Sequence, residues 1–332
     1  MEGNAGTGPD RNLAMELVRT TEYAAIACAH WIGRGDKEGA DGAAVDAMRL
    51  LLDTVSMDGV VVIGEGEKDE APMLYNGEHI GDGSAPEVDV AVDPLEGTEL
   101  CAKGLPNAIA TIALSGRGTM FDPGPCFYML KMATSRDMAH LLDLDRPLGE
   151  TLQLVAKEKG VAVNDIVVIM LDRPRHDDAM AAIRDVGARI RLIPHGDVSA
   201  ALAAVTEGSP VDLLYGIGGT PEGVLSAAAI KCTGGQILGR LWPRSDEERS
   251  ATLEAGYDLD EVLDRDRLVS GDEAFFAATG VTDGEMLDGV RFTRGGATTE
   301  SVSMRARSGT VRTITARHDR AKLREIVGER LG

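Results

Sequence analysis

The sequence is short of every feature that would tie a chain of this size to a membrane, a nucleic acid or a structural zinc ion. No apolar run among its 332 residues approaches the ~20 needed to span a bilayer, and the opening M-E-G-N-A-G-T-G-P-D has neither the basic nor the apolar region of a secretory signal. A basic stripe is missing too. Lys and Arg number 34 against 54 Asp and Glu, a formal charge of -20, which argues against general affinity for nucleic acid or an anionic membrane. Cys28, Cys101, Cys126 and Cys232 lie far apart, without a C-x-x-C pair or a histidine spaced as a zinc ligand. Structural zinc is therefore not expected, and a cytoplasmic protein with reduced thiols is. There is no repeat of fixed period, so a solenoid is excluded, and no G-x-x-x-x-G-K-S/T loop. The G-I-G-G-T-P-E-G stretch fails as a dinucleotide fingerprint, because the third glycine of a motif starting at Gly216 would stand at Pro221.

What is present describes an ordered globular chain: 43% hydrophobic and 27% charged residues, with 40 glycines for tight turns. The length allows one large domain or two sharing an interface. Residues 1–9 read as a disordered tail. Helical spacing predicts helices over 12–32 and 41–55, then a strand at 59–64 ending in the acidic loop E-G-E-K-D, then strands near 88–93, 107–114 and 126–133. From residue 150 the pattern changes to regular alternation: helix to 159, strand 166–171, helix 177–186, strand 189–194, helix 197–205, strand 211–215 and helix 221–231. That alternation predicts a parallel α/β layer. An acidic, exposed helical segment is expected over 246–266 and short strands over 290–317. The chain thus divides into two layered halves, 10–149 and 150–332, of one compact two-lobed unit.

The stretch V-D-V-A-V-D-P-L-E-G-T, residues 88–98, carries most of the chemistry. Val88, Val90 and Val92 alternate as in a half-buried strand, and Pro94 is expected to stop the ladder, releasing Asp93 and Glu96 at a strand end. Carboxylate oxygens suit a hard cation such as Mg²⁺ or Mn²⁺. Gly97 and Thr98 leave backbone N–H groups to meet a phosphate where the next helix starts. Other acids stand at comparable places: Asp41 at a helix start, Glu65 and Asp69 after a strand, Glu222 after another. Ends of strands converge in open α/β sheets, so these groups can share one cleft. Taken singly, Asp41 also reads as a helix N-cap and Glu222 as a first-turn acid favoured by the helix dipole.

Five blocks, G-R-G-D-K-E-G-A-D, V-I-G-E-G-E-K-D-E-A-P-M-L-Y, V-D-P-L-E-G-T, D-R-P-R-H and Y-G-I-G-G-T-P-E-G-V, together resemble the class II fructose-1,6-bisphosphatases of bacteria, in order from about residue 10 to 317. The D-P-x-D/E-G-T block is shared with the wider lithium-sensitive phosphatase superfamily, which includes inositol monophosphatases. The resemblance implies a layered α/β/α/β/α sugar-phosphatase fold with a mixed N-terminal sheet and a more parallel C-terminal one. It also implies dependence on Mn²⁺ or Mg²⁺, a homodimer or homotetramer, and a place in gluconeogenesis. Carried over residue by residue, metal ligands fall on Asp41, Glu65, Asp93, Glu96 and Glu222, and catalytic positions on Lys37, Glu65, Asp69 and Thr98. A threonine hydroxyl bonded to Asp69 would orient and deprotonate a water made acidic by the metal, for in-line attack on phosphorus. Substrate contacts map to Glu96, Gly97, Thr98, Tyr128, Arg173, Pro174, Arg175, His195, Gly196, Asp197 and Gly219. The two arginine forks suit the second, non-reacting phosphate.

One position departs from the family. Where its members usually read D-G-D, this chain reads His195-Gly196-Asp197, putting an imidazole in place of an acceptor-only carboxylate. Imidazole donates and, when protonated, attracts an anion. This keeps the reaction type and leaves the sugar open: fructose 1,6-bisphosphate, a seven-carbon bisphosphate such as sedoheptulose 1,7-bisphosphate, or an inositol or other monophosphate that needs no second anion clamp. Outside these stand a sugar-phosphate-binding regulatory protein and an inactive relative, the latter weakened by the presence of every metal-ligand position. His195→Asp is expected to change the ranking of kcat/KM among fructose, sedoheptulose, glycerol and inositol phosphates. An unchanged ranking removes His195 from sugar selection.

Overall fold

The computed structural model describes residues 12–65 and 74–327. Helices α1 (Ala14–Ala29) and α2 (Lys37–Leu52) precede β1 (Asp58–Ile63), β2 (His79–Ile80), β3 (Glu87–Glu96), the short α3 (Thr98–Lys103) and β4 (Ile109–Gly116). Next come β5 (Tyr128–Thr134), α4 (Leu148–Lys159), β6 (Val167–Leu171), α5 (Asp177–Asp185), β7 (Arg189–Ile193), α6 (Asp197–Val205), β8 (Leu213–Gly219), α7 (Thr220–Thr233) and β9 (Gln236–Leu241). The chain continues through α8 (Asp246–Glu254), β10 (Leu263–Asp264), α9 (Arg265–Leu268), β11 (Phe275–Gly280), β12 (Arg291–Thr293), β13 (Gly296–Arg305), β14 (Thr310–Asp319) and α10 (Arg320–Val327).

Two mixed sheets result. The first has the order β12-β13-β11-β4-β3-β1-β2, with β14 also on β13; the second runs β10-β9-β5-β8-β6-β7. The alternation of side chains along each strand explains the layering. Val88, Val90 and Val92 of β3 pack with Leu17, Met48 and Leu52 of α1 and α2 on one face, while Ala91 turns to the other. Ile169 of β6 joins that same inner core, with Leu202 of α6 and Leu225 and Ile230 of α7, whereas Val168 and Met170 pack with Leu152, Val155 and Ile183 of α4 and α5. Helices α6 and α7 are consequently sandwiched between the sheets, nearly all their side chains buried. This is the expected α/β/α/β/α stack.

Several local expectations are corrected. β3 does not stop at Pro94: it runs to Glu96, pairing Asp93 with Thr111 and Glu96 with Ile109 of β4. Three steps on β3 face two on β4, so the proline without an N–H is absorbed in a bulge. Asp41 is not a helix cap. Asp36 takes that place, its carboxylate accepting the Gly39 N–H at 2.9 Å, and Asp41 stands a turn inside α2. The second sheet is parallel only across β7-β6-β8, with β5, β9 and β10 antiparallel. Nor do the sheets part at residue 150, since β5 belongs to the second and β11 to β14 return to the first. Only 246–254 of the acidic segment is an α-helix of any length, and β13 and β14 are ten residues each.

Candidate active site

Strand ends and helix starts from both sheets meet at a cleft of about 410 Å³. From the first sheet come Glu65, just beyond β1, Asp93 and Glu96 on either side of the bulge, and Gly97 and Thr98 at the start of α3. From the second come Tyr128 at the start of β5, Arg173 and Arg175 after β6, His195 and Gly196 after β7, Asp197 at the start of α6, Gly219 at the end of β8 and Glu222 in the first turn of α7. Pro174 stands between the two arginines and opens a turn of 3-10 helix. Asp41 and Lys37 do not line the cleft. Asp41 lies close enough to act on Glu65 and Asp93 electrostatically, and Lys37 is ion-paired with Glu99, which Lys103 shares. Asp69 lies outside the described residues.

The carboxylates are held against their chemistry. Burial pushes Glu96 up to about 8, although the Val198 N–H of α6 donates to its Oε1 at 3.1 Å and opposes the shift. Glu65 is pushed up to about 7 by burial and by the charges of Asp41 and Glu222. Asp93 is raised well above the carboxylate range by burial, then by Glu65, Glu96, Glu222 and Asp41. Burial raises Asp41 and Glu222 as well, with Lys131 opposing at Glu222. Two oxygens, Glu96 Oε2 and Glu222 Oε2, are buried with no hydrogen-bond partner among the described residues. A buried acceptor without a donor costs about 1–3 kcal/mol, and a hard cation on an all-oxygen donor set removes that cost. The residues present therefore fit a divalent metal. Among the described residues no three His, Cys, Asp or Glu side chains are drawn into a closed ligand shell, in keeping with the mutual repulsion of like charges.

Glycine allows the close approach of these acids. A Cβ on Gly219 would fall 1.7 Å from Glu222 Oε2, and one on Gly218 would fall 2.1 Å from Asp197 Oδ2. The G-I-G-G run is thus a matter of space beside carboxylates.

The opposite wall is cationic and aromatic. Arg175 donates through Nε and Nη2 to the Ile217 carbonyl at 3.2 and 2.8 Å, and its guanidinium lies 4.8 Å from the centre of the Tyr128 ring. Arg173 donates to the carbonyls of Asp172 and Pro194, tying the end of β6 to that of β7. Neither arginine faces a carboxylate among the described residues, so both keep charge for an anion. His195 takes the uncharged form of the two considered for it. Burial and the charges of Arg173, Lys37 and Lys103 lower its pKa, so near neutral pH it offers one donor and one acceptor and not a positive charge.

Two residues escaped the sequence reading. Lys131 on β5 is fully buried and reaches Asp197 and the Gly219 carbonyl. Its only signal was a lone lysine within F-Y-M-L-K-M-A. His176 receives the Ile217 N–H on Nε2 at 2.8 Å, which places the proton on Nδ1, 2.7 Å from the Leu171 carbonyl. It locks the Arg173–Arg175 turn to β8.

The raised carboxyls make stability depend on pH with a definite sign. Glu65 and Glu96 keep their protons in the folded state up to about 7 and 8, while the unfolded chain releases them near the ordinary value of 4.5. Stability is full below 4.5 and is lost as pH rises to about 8. Scanning calorimetry of the metal-free protein is expected to show Tm falling between pH 5 and 8.5, with saturating Mn²⁺ restoring it most at the alkaline end. Glu22, buried against Thr299 and raised to about 7, adds to the same slope. Glu96→Gln isolates the cleft's share: it should flatten the fall and reduce the response to Mn²⁺. A slope unchanged by that substitution contradicts the electrostatic account.

Comparison with known proteins agrees with this geometry. A family model described as bacterial fructose-1,6-bisphosphatase, glpX-encoded, matches residues 11–318. The fructose-1,6-bisphosphatase class 2 of Haemophilus influenzae is 42% identical over 322 residues, covering 93% of this chain and 96% of the relative. Fructose-1,6-bisphosphatase 1 class 2 of Escherichia coli is 43% identical over 321 residues, covering 93% and 95%. The chain therefore belongs to the class II bacterial fructose-1,6-bisphosphatase family, a family of metal-dependent phosphatases.

Proposed function

We propose that the chain hydrolyses the 1-phosphate of fructose 1,6-bisphosphate, giving fructose 6-phosphate and inorganic phosphate. The observation that carries this reading is one cleft lined both by buried carboxylates and by two guanidinium groups that meet no carboxylate among the described residues. Such a site takes a phosphate at each end. A monophosphatase would have no use for the second clamp, and the relatives' names give fructose 1,6-bisphosphate in place of a seven-carbon or inositol substrate.

Asp41, Glu65, Asp93, Glu96 and Glu222 would hold the divalent ions, Mn²⁺ or Mg²⁺. When bound, these ions neutralise the acids, draw charge from the reacting phosphoryl group and make a nearby water more acidic. Thr98 orients the attacking water and takes its proton while passing its own hydroxyl proton to Asp69, the proposed partner of the hydroxyl. The amides at Gly97 and Thr98 donate to equatorial phosphoryl oxygens. Water adds to phosphorus as the bond from phosphorus to the C1 oxygen breaks, and that oxygen takes up a proton. Lys37, kept by Glu99 near the start of α3, contributes positive charge beside this end.

At the other end Arg173, Pro174, Arg175 and Tyr128 hold the 6-phosphate. Pro174 fixes the turn that spaces the two guanidinium groups, and the Tyr128 ring supports Arg175. His195, Gly196, Asp197 and Gly219 face the sugar, where a neutral imidazole and a carboxylate pair with hydroxyl groups of either polarity. Glu96 joins both ends, because the oxygen that is not turned to the metal fastens the start of α6.

The tests separate the walls. Asp93→Asn should lower kcat for phosphate release at least about a hundredfold with the protein still folded, as loss of charge stabilisation does. Arg175→Ala should raise KM for fructose 1,6-bisphosphate about tenfold or more with a smaller change in kcat. Wild-type rates in the first, or an unaltered KM in the second, would refute the corresponding wall. Removal of divalent ions by a chelator should stop release, and Mn²⁺ or Mg²⁺ should restore it.

A further inference from the structure

One buried cation in the cleft wall has no part in the reaction described above. Lys131 stands on β5 among apolar neighbours, with Met129 and Met132 almost wholly buried beside it, and is itself 1% exposed. An ammonium group so deep is costly unless its protons are taken up by acceptors. Two acceptors meet it: Asp197 Oδ2, and the carbonyl of Gly219 at 2.9 Å. These belong to different segments of the cleft, the first residue of α6 and the last of β8, while Lys131 itself is on β5. The space is prepared for the pair. A Cβ on Gly218 would lie 2.1 Å from Asp197 Oδ2 and 3.1 Å from Lys131 Nζ, and on Gly223 it would lie 3.6 Å from Lys131 Cδ.

Only one oxygen of Asp197 is used in this contact. The other accepts no hydrogen bond among the described residues, and Asp197 lines the cleft between His195 and Gly219. A carboxylate free to rotate would offer a sugar two equivalent oxygens in many orientations. One pinned through Oδ2 offers a single acceptor in a fixed direction, and pre-organised hydrogen bonds lose less entropy when the ligand arrives. We propose that Lys131 is a positioning residue for sugar recognition, clamping Asp197 by one carboxylate oxygen so that the other is presented to a hydroxyl of the sugar, and fixing the Gly219 carbonyl beside it. The inference rests on the fructose 1,6-bisphosphatase reading. It predicts that the lysine acts chiefly on the sugar end of the ligand, through its hydrogen bonds to Asp197 and Gly219, and only weakly on the reacting phosphate, through its charge on Glu222. A merely structural lysine, whose loss loosens the junction of β5, β8 and α6, would weaken every ligand of the cleft together.

The two reaction products separate these roles, since fructose 6-phosphate carries the sugar and inorganic phosphate does not. For Lys131→Met the inhibition constant of fructose 6-phosphate and the KM of fructose 1,6-bisphosphate should rise about tenfold, the range of one hydrogen bond to a charged group. The inhibition constant of inorganic phosphate should stay within about twofold and kcat within about threefold, set against that same hydrogen-bond scale. Combined with Asp197→Asn, the substitution should add little to the loss from Asp197→Asn alone, because the lysine works through that carboxylate. Should Lys131→Met not fold, Lys131→Gln, which keeps an N–H donor, is read by the same ratio of inhibition constants. Parallel weakening of both products, or full additivity with Asp197→Asn, overturns the proposal. A wild-type protein that releases no phosphate from fructose 1,6-bisphosphate overturns the function itself, a different failure from an active enzyme whose lysine variants bind both products equally badly.

Discussion

Carboxylate oxygens buried without donors are the constraint around which this molecule is arranged. Glu96 Oε2 and Glu222 Oε2 are enclosed and unpartnered, and Asp93 and Glu65 are raised by the same burial and by one another's charge. An apolar core offers such a group nothing: a donor, a proton or a cation has to compensate, and once the proton leaves, a cation is what the cleft's oxygen set suits. The cost is carried by the inner core between the sheets, which takes up nearly all the side chains of α6 and α7 and so holds their first turns at the cleft. The bulge at Pro94 belongs to the same arrangement. By inserting one residue between Asp93 and Glu96 it leaves both acids lining one cleft, where regular strand alternation alone would have sent them to opposite faces.

The second half of the cleft obeys the opposite rule. Among the described residues Arg173 and Arg175 spend their hydrogen bonds on carbonyls and none on carboxylates, in a chain with 54 acidic residues. Keeping two guanidinium groups unpaired in so acidic a protein preserves them for a ligand anion. His176 holds the turn that carries them, bonded in its neutral form to Leu171 and Ile217. Behind the cleft lining, the Lys131–Asp197 pair supplies a fully buried cation of the chain's own to a cleft carboxylate.

Much of this was legible in the chain because short-range chemistry and position coincide. V-D-V-A-V reads as a strand by its period of two, and the acids at 65, 93, 96 and 222 all fall at element ends that do converge. What was lost depends on partners distant in sequence. Pro94 allows either an end to the ladder or a bulge, and β4 decides between them. Asp36 and Asp41 are both reasonable caps for α2; the contact with Gly39 settles on Asp36, a choice that leaves Asp41 free beside Glu65. The run A-F-F-A-A-T-G gave no alternation to detect because β11 is buried on both faces, and with it went the return of the chain to the first sheet. Lys131 drew no reading at all, since one dimension does not show that Asp197, sixty-six positions away, waits for it.

The most direct test of the central claim is a crystal structure of the Mn²⁺-loaded protein with anomalous scattering recorded at the manganese edge. The account requires manganese peaks in the cleft with Glu96 Oε2 and Glu222 Oε2 among the coordinating atoms, so that both oxygens gain the partner they lack. Manganese bound elsewhere, with those two oxygens still uncoordinated, would contradict it.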